Sequence, residues 1–356
     1  MNKFKTYFPL TDTYTYLNTA ASGLLSKPVL EFRRQHDLDF FHLGGLFKER
    51  QGEYLAAVRE KVGHLFSCAP NRVALVPNFS YGFNNLLEGI PTSKRVLLLE
   101  EDYPSVNWPF VSNDFSINYV SIDEHLEDRI ADAFAKAQPD IFAFSVIQYI
   151  SGIKIDLSFI KALKTKYPET LFFADGTQYF GTELFDFDDS GIDVIGGSTY
   201  KWMNAGYGNA FFLFKSDIAH KVAPKTTSFS AFQAEYKPQE GDFIGRFEPG
   251  HQDTLNYGSL GAAIDLINTI GMPVISNQIN AMSLLAKEAF GERKLIDKGI
   301  LNRKQHASIY SLESDASLVD RLRQEGIICV ERGGRVRVSF HYFNTPEDLE
   351  RLLSHI

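Results

Sequence analysis

The sequence predicts an α/β protein, in which a large α/β/α domain with a mainly parallel sheet precedes a smaller α+β domain. Three observations support this fold class. Strand and helix patterns alternate along the first two thirds of the chain. Several strand segments are apolar throughout, as expected where a sheet is buried on both faces. The length of 356 residues suits a large domain with a satellite rather than one small domain.

The large domain is expected to contain repeated βα units. Apolar residues at helical spacing predict helices over 28–47, 52–66, 81–89, 126–137 and 159–167. Short apolar runs predict strands over 72–76, 95–99, 117–120, 141–145, 171–174, 193–196 and 210–214. Because such units repeat, we expect a sheet with helices on both faces.

The C-terminal part has a different pattern. Helices are predicted over 259–269, 274–291, 318–325 and 346–355. Strands are predicted over 306–311, 327–330 and 336–340. This order favours a small antiparallel sheet with helices on one face. We place the large domain at 1–260 and the small domain at 261–356.

Composition excludes several classes of protein. Hydrophobic residues make up 44% and charged residues 22%, which excludes disorder, collagen-like repeats and a disulfide scaffold. The 36 basic and 44 acidic residues give a net charge of −8 without a basic block, which disfavours nucleic acid and anionic membranes as partners. No transmembrane run, secretory signal or metal site is expected. Two cysteines without a CxxC motif favour a reducing cytoplasm.

Polar and aromatic residues follow several predicted strands, where ligands of open α/β sheets bind. Ser80 is expected to cap the next helix and, with the free N–H groups of that helix start, to form an anion site; capping alone is the alternative. The Tyr103 ring can stack on a flat ligand, or belong to the core or a turn. Gln148 and Tyr149 can donate hydrogen bonds to a ligand oxygen, or form an ordinary turn.

Two further strand ends carry an acid and a lysine. Asp175 ends a buried apolar strand, which is costly unless the carboxylate meets a cation such as a protonated ring nitrogen; a helix cap is the alternative. Gln178, three positions later, can contact a ring substituent. Lys201 lies in a turn of small and aromatic residues, where partial burial would lower its pKa and make the amine a nucleophile. A solvent-facing lysine is the alternative.

Together these residues match the requirements of pyridoxal 5′-phosphate (PLP), namely a phosphate site, a stacking ring, a buried acid and a nucleophilic lysine. Lys201 would form the Schiff base with the cofactor. Asp175 would keep the ring nitrogen protonated, which makes the ring an electron sink for a carbanion at Cα. PLP is therefore the expected cofactor.

The chain resembles the class V aminotransferase family of fold type I PLP enzymes, which includes cysteine desulfurases, selenocysteine lyases, kynureninases and isopenicillin N epimerase-like proteins. The resemblance covers nearly the whole chain, from YLNTAASG at 16–23 to RVSFHYFNT at 337–345. Its most specific parts are ADGTQ at 174–178 and STYKW at 198–202, with Asp175 and Lys201 26 positions apart.

The resemblance implies roles for individual residues. Lys201 matches the Schiff-base lysine, Asp175 the acid at the pyridine nitrogen, Gln178 the residue near the ring hydroxyl, and Tyr103 the stacking residue. Phosphate contacts are implied for Phe79, Ser80, Ser198, Tyr200 and, from the second subunit of a homodimer, His251. Substrate contacts are implied for Arg337, which would bind the carboxylate, and for Asn18 and Ala21 in an N-terminal segment, 1–20, near the substrate site.

We expect an aminotransferase that acts on a small amino acid with a 2-oxo acid as co-substrate, in which Lys201 moves the proton at Cα. One alternative is a cysteine desulfurase or selenocysteine lyase with a reactive thiol. Cys329, in an apolar run eight positions before Arg337, and Cys68 are instead expected to be buried and structural. A lyase that needs no cysteine stays open. A non-catalytic PLP-fold binding protein would have a degraded site, whereas Lys201, Asp175 and Arg337 are all present.

Overall fold

The computed structural model describes residues 2–227, 243–315 and 317–356. Its strands are β1 (Thr15–Tyr16), β2 (Val73–Val76), β3 (Arg95–Leu99), β4 (Ser116–Val120), β5 (Ile141–Ser145), β6 (Leu171–Asp175), β7 (Val194–Ser198), β8 (Ala210–Phe214), β9 (Ile309–Leu312), β10 (Ile327–Ile328), β11 (Val330–Arg332) and β12 (Arg335–Ser339). Its helices are α1 (Lys27–Leu43), α2 (Gly45–Glu49), α3 (Gln51–Phe66), α4 (Phe79–Glu88), α5 (Pro104–Ser112), α6 (Leu126–Lys136), α7 (Leu157–Lys166), α8 (Thr254–Ile270), α9 (Met272–Glu292), α10 (Lys298–Asn302), α11 (Leu318–Gln324) and α12 (Pro346–Leu353).

The central sheet has seven strands in the order β2-β8-β7-β6-β5-β3-β4. Strand β8 is antiparallel to both its neighbours, and the other neighbouring pairs are parallel. The prediction of a mainly parallel sheet is therefore confirmed. Because β2, β3, β5, β6 and β7 run in one direction, the residues that follow them lie along one edge of the sheet.

The sheet is buried on both faces, which explains its continuous apolar strands. Every residue of β5 to β8 is buried. Side chains alternate between two core layers, so that Phe142 and Phe144 lie in one layer and Ala143 in the other. The same alternation places Phe172 and Phe173 on opposite faces. Much of the phenylalanine surplus in the composition thus fills the core.

The C-terminal part contains a three-stranded antiparallel sheet in the order β11-β12-β9, as predicted. One face of β12, with Val336 and Val338, packs in a core with residues of α9, α11 and α12. The strand predicted over 327–330 is divided at Cys329. Its first part, β10, pairs in parallel with β1, so the N-terminal segment is hydrogen-bonded to the C-terminal part.

One other sequence expectation differs from the structure. The helix predicted over 28–47 ends at Leu43, because the next residue, Gly44, has a φ of 50° that lies outside the helical region, and α2 follows as a separate helix. The division predicted at residue 260 lies inside α8, which packs against α1 and α3. The division into domains at this point stays a prediction.

Within the described ranges, no single helix is long and apolar enough to cross a membrane. Helices α8 and α9 meet the length and hydropathy criteria only as a pair, and they are bent by 81° at the break between them.

Candidate active site

A cavity lies at the carboxyl-terminal edge of the central sheet and is formed by the segments that follow β3, β5, β6 and β7. Its lining residues are Tyr103, Ser145, Ile147, Tyr149, Asp175, Thr177, Gln178 and Lys201. Five of these eight are residues that the sequence singled out. Ser145, Ile147 and Thr177 were missed, although each lies within three positions of a predicted site residue.

Lys201 is a buried lysine three residues after the end of β7. Its Nζ lies 5.7 Å from the ring centroid of Tyr103 and 5.6 Å from that of Tyr200. Burial is the main cause that lowers the Lys201 pKa; the Asp175 charge opposes this shift and the Arg337 charge adds to it. A lowered pKa increases the share of neutral amine, which is the nucleophilic form.

Asp175 ends β6 and is also buried. Its Oδ1 accepts a hydrogen bond of 2.7 Å from the Thr177 amide. Burial raises the Asp175 pKa, while the Thr177 hydrogen bonds and the Lys201 charge act in the opposite direction. A desolvated carboxylate that keeps so few partners gains from a bound cation. This environment fits the protonated ring nitrogen of PLP.

Tyr103 and Tyr149 form the aromatic part of the cavity. Their ring centroids lie 5.2 Å apart with an interplanar angle of 74°. Tyr103 is placed by Asp102, whose Oδ1 accepts the Tyr103 amide at 2.7 Å. The sequence analysis gave no role to Asp102. The sequence did contain a signal for such a role, because Asp102 is an acidic residue directly before Tyr103, the predicted stacking residue.

The anion site expected at the start of α4 has a different cap from the one predicted. Asn78 is the N-cap, since its Oδ1 accepts the Tyr81 amide at 2.9 Å, so the prediction that Ser80 caps the helix is wrong. Asparagine and serine are comparable caps, and sequence alone did not separate them. Ser80 instead donates from Oγ to Ser105 Oγ at 2.8 Å.

The start of α4 is joined to the end of β7. The Phe79 amide donates a 3.0 Å hydrogen bond to Ser198 Oγ, and the Ser198 amide donates to Thr177 Oγ1 at 3.1 Å. Hydroxyl groups and the positive end of a ten-residue helix therefore lie together beside the Asp175 segment. This chemistry fits a phosphate group.

Gln178 connects the cavity to the N-terminal segment. Its Nε2 donates to the Ala20 carbonyl at 2.9 Å, and its Oε1 accepts from Trp202 Nε1 at 2.7 Å. The Ala20 amide in turn donates to Ser339 Oγ at 3.0 Å. Asn18 has a buried Oδ1 without a hydrogen-bond partner among the described residues. Residues 18–21 therefore lie between the Gln178 side chain and β12.

Arg337 is a buried residue of β12 that contacts the backbone of Tyr149, a residue of the cavity lining. Its Nη1 donates to the carbonyl of Tyr149 at 2.5 Å. Burial, together with the charge of Arg332, lowers the Arg337 pKa to about 10. A guanidinium in this position can form a bidentate pair with a carboxylate.

Some predicted residues lie elsewhere or have other contacts. Gln148 does not line the cavity, because its Oε1 accepts the amides of Ile150 and Ser151 at 2.7 and 2.6 Å and closes its own turn. His251 is exposed and lies in a separate depression of about 700 Å³. The Tyr200 ring stacks on Tyr207, with centroids 4.7 Å apart.

The two cysteines are free and buried, as expected. Cys329 lies in the core of the C-terminal part and Cys68 in the main core. Burial raises the pKa of each thiol to about 11. Since the thiolate is the reactive form, neither environment favours a nucleophilic cysteine.

Comparison with known proteins identifies one family over nearly the whole chain. The family model for aminotransferase class-V matches residues 15–352. An uncharacterized aminotransferase, YcbU, from Bacillus subtilis is 22% identical over 99% of this chain and 96% of its own length. A probable cysteine desulfurase from Methanothermobacter thermautotrophicus is 22% identical over 97% and 94%.

Solved structures share the fold. The apo cysteine desulfurase of Thermococcus onnurineus has a TM-score of 0.87 at 19% identity, covering 98% of this chain and 95% of that one. The cystine C–S lyase C-DES, in complex with cysteine persulfide, has a TM-score of 0.88 at 19% identity, with 98% of both chains covered. At this level of identity the likeness shows the fold alone.

The fold and the site define a PLP-dependent enzyme of fold type I. Within this class, the chain belongs to the class V aminotransferase family. The predicted family, fold type and cofactor are therefore confirmed. The residues that would hold PLP are Lys201 at its reactive carbon, Asp175 at its ring nitrogen, Tyr103 against its ring, and the start of α4 at its phosphate.

Proposed function

We propose that this protein is an aminotransferase that acts on a small amino acid. The observation that carries the proposal is the buried amine of Lys201 in the cavity lining, together with the guanidinium of Arg337, which is hydrogen-bonded to the carbonyl of Tyr149 in the same lining. The first is suited to moving a proton at Cα, and the second to holding the α-carboxylate. An amino acid is the substrate class that needs both.

Each side chain has a defined task in this proposal. Arg337 binds the α-carboxylate and fixes the direction of the Cα–H bond, which sets the geometry for proton transfer. Lys201, as a neutral amine, would accept the Cα proton and return it to the reactive carbon of the cofactor, on the other side of the amino nitrogen. Asp175 keeps a proton on the ring nitrogen. PLP, when bound, delocalises the electrons that remain after Cα deprotonation.

The cysteines support transamination over sulfur transfer through a protein thiol. The chain has two cysteines, and both are buried with raised pKa values. A lyase that releases its product without a protein thiol is the second candidate, and the probable cysteine desulfurase among the relatives supports keeping it. The complete set of Lys201, Asp175 and Arg337 disfavours a non-catalytic binding module.

The test is a panel of amino acids, each with a 2-oxo acid acceptor, given to the PLP-loaded protein. We expect amino transfer for a subset of the panel. The readout is the new amino acid that is formed from the acceptor. Lys201→Ala should lose the visible absorbance of lysine-bound PLP and at least about 10²-fold in rate. Lys94→Ala, at a surface position, is the control.

Other outcomes would replace the proposal. Sulfide or pyruvate release without amino transfer would favour the lyase, and loss of sulfide release in Cys329→Ser would restore the thiol mechanism. No response of the PLP absorbance to any amino acid would favour the binding module. If Lys201→Ala keeps the wild-type absorbance band, the assignment of Lys201 is wrong.

We also propose that the protein is a homodimer. The end of α1 and the start of α2 expose large apolar side chains, including Phe41 at 81% and Leu46 at 61%. A patch of this kind favours contact with another protein surface, and a second copy is the partner that the family suggests. Light scattering should give about 80 kDa. Phe41→Asp should shift the mass toward one chain, whereas Leu184→Asp, at an exposed leucine of the 176–190 segment, should not.

A further inference from the structure

The hairpin of β11 and β12 presents three arginines on one face. Arg332 lies directly opposite Arg335, and Val330 opposite Arg337. Because opposite residues share a face and every second residue returns to it, Arg332, Arg335 and Arg337 point to the same side of the hairpin. The other face, with Val336, packs into the C-terminal core.

Two of these arginines have partners among the described residues, and the third has none there. Arg337 donates to the Tyr149 carbonyl, and Arg335 forms ion pairs with Asp297 at 3.2 Å and Glu313 at 3.7 Å. Arg332 is exposed and has no ion pair or side-chain hydrogen bond to any of the described residues. Glu331, next to it, faces the other side, where its Oε1 accepts the Gly334 amide.

Arg332 lies near the cavity, on the hairpin that packs against the loop after Tyr149. Relative to Arg337, it is a diagonal neighbour across the hairpin, a relationship that separates Cα atoms by roughly 7–8 Å. The hairpin turn lies against the loop after Tyr149, since a Cβ added at Gly333 would be 3.5 Å from Ile150 Cγ2. Tyr149 itself lines the cavity.

The electrostatics agree with this placement. Burial is the main cause that lowers the pKa of Arg337, and the charge of Arg332 is the next. The charge of Arg332 also lowers the Lys201 pKa, after burial and the Asp175 and Arg337 charges. A charge that acts on both groups also acts on a ligand bound between them.

We propose that Arg332 binds an anionic group at the end of the substrate side chain, so that the preferred substrates are amino acids with a side-chain carboxylate. This inference rests on the proposed function, because it assigns the α-carboxylate to Arg337. The exposed Arg332 then contacts the second carboxylate near the cavity. A planar guanidinium that forms no ion pair within the described ranges is suited to this bidentate contact, and its exposure makes the preference sensitive to salt.

The test measures binding of unreactive acids by calorimetry with the PLP-loaded protein. The probes are two dicarboxylates, succinate and glutarate, and the monocarboxylates of equal length, butyrate and valerate. We expect each dicarboxylate to bind about tenfold tighter than its monocarboxylate, the effect of one charge-assisted contact. Arg332→Gln should reduce this ratio to about one, and Arg332→Lys should retain part of it.

The matched control is Arg335→Gln, which removes the same charge from the same face of the hairpin but at a position already paired with Asp297 and Glu313. This variant should keep the wild-type ratio. An equal ratio in Arg332→Gln and the wild type would overturn the proposal, as would the absence of any dicarboxylate preference in the wild type.

Kinetics separate this inference from the proposed function. If both are correct, kcat/KM for aspartate or glutamate exceeds that for alanine, and Arg332→Gln reduces this excess with little effect on alanine. If amino acids react but Arg332→Gln leaves the selectivity unchanged, the inference fails and the proposed function stands. If no amino acid reacts, the proposed function fails, and the calorimetric ratio still decides whether Arg332 binds a second carboxylate.

Discussion

The carboxylate of Asp102 accepts a 2.7 Å hydrogen bond from the backbone amide of Ser145, the last residue of β5. Its other oxygen accepts the Tyr103 amide. The buried Asp102 side chain therefore joins the segment after β3 to the end of β5. Tyr103 and Ser145, whose amides it binds, both line the cavity. The position of the Tyr103 ring depends on this contact.

We predict that Asp102→Asn lowers the free energy of unfolding by about 1–3 kcal/mol, because the amide NH₂ group then faces a backbone donor and leaves it unsatisfied. Urea unfolding measures the loss. Asp189→Asn, at an exposed ion pair with Lys161, is the control and should change the value by less than about 1 kcal/mol. Equal losses in the two variants would contradict a structural role for Asp102.

Gly23 allows the N-terminal segment to approach the lysine. Its amide donates to the Tyr200 carbonyl at 2.9 Å, and a Cβ at this position would lie 1.9 Å from the Lys201 carbonyl oxygen. Gly23→Ala should therefore displace the Lys201 backbone, weaken PLP binding and lower activity by about 10²-fold. PLP titration followed by absorbance checks this.

Gly52→Ala is the control for Gly23→Ala. Gly52 lies in α3, and no atom is within 4 Å of an added Cβ. Alanine is the better helix former, so we expect a stability gain of at most about 1 kcal/mol and unchanged PLP affinity. If both alanine variants bind PLP equally well, close packing at Gly23 does not support the site.

The environment of His306 leads us to predict that the folded protein loses stability at acidic pH. Its Nε2 contacts the Ser151 carbonyl at 2.9 Å, and its buried Nδ1 has no hydrogen-bond partner in the described part of the chain, so protonation would place an unpaired N–H in the interior. Burial lowers the His306 pKa to about 4, below the 6.5 of an unfolded chain. Between these values the unfolded state binds a proton that the folded state does not.

The His306 contribution is therefore complete above pH 6.5 and is lost as the pH falls toward 4. From pH 7 to pH 5 it should cost about 2 kcal/mol of unfolding free energy. His306→Gln should lose correspondingly less over the same interval, as measured by urea unfolding at the two pH values. A variant with the wild-type pH dependence would show that His306 titrates alike in both states.

Arg303 links the C-terminal part to α6. Its guanidinium forms two hydrogen bonds to Glu127, of 3.0 and 2.8 Å, and one of 2.8 Å to the Lys154 carbonyl. The arginine side chain is 5% exposed. Arg303→Met should lower the unfolding free energy by about 3–5 kcal/mol, because Glu127 loses its cation in a partly buried place.

Arg323→Met, where the ion pair with Asp320 is exposed, is the control for Arg303→Met and should cost less than about 1 kcal/mol. Thermal unfolding monitored by circular dichroism compares the two. A loss at Arg303 no larger than at Arg323 would show that the Glu127 contacts add nothing to stability.

The sequence was sufficient to predict those site residues that lie at the ends of parallel strands. Asp175 is the last residue of β6 and Lys201 follows β7, and because these two strands are parallel the topology alone places both residues along one edge of the sheet. The patterns were also sufficient for the central strands, since burial on both faces leaves a continuous apolar run that a surface segment cannot have.

The remaining differences come from contacts between distant segments. Gln148 was expected to face a ligand, but three hydrogen bonds within its own loop determine its direction. Asp102 acquires its role only because β3 and β5 are neighbours in the sheet. The break at Cys329 arises because β10 has β1 as its partner and β11 has β12, a choice of partners that strand propensity does not contain.

The pairing of β1 with β10 has a consequence during protein synthesis. Tyr16 pairs with Ile328, and the Leu17 carbonyl accepts the Ser339 amide, so the segment beside the cavity is held by residues made more than 300 positions later. At ribosomal rates of about 5–20 residues per second, this delay is on the order of 15–60 s. The parallel sheet can form in the nascent chain, but a closed cofactor site has to wait until Ser339 has been made.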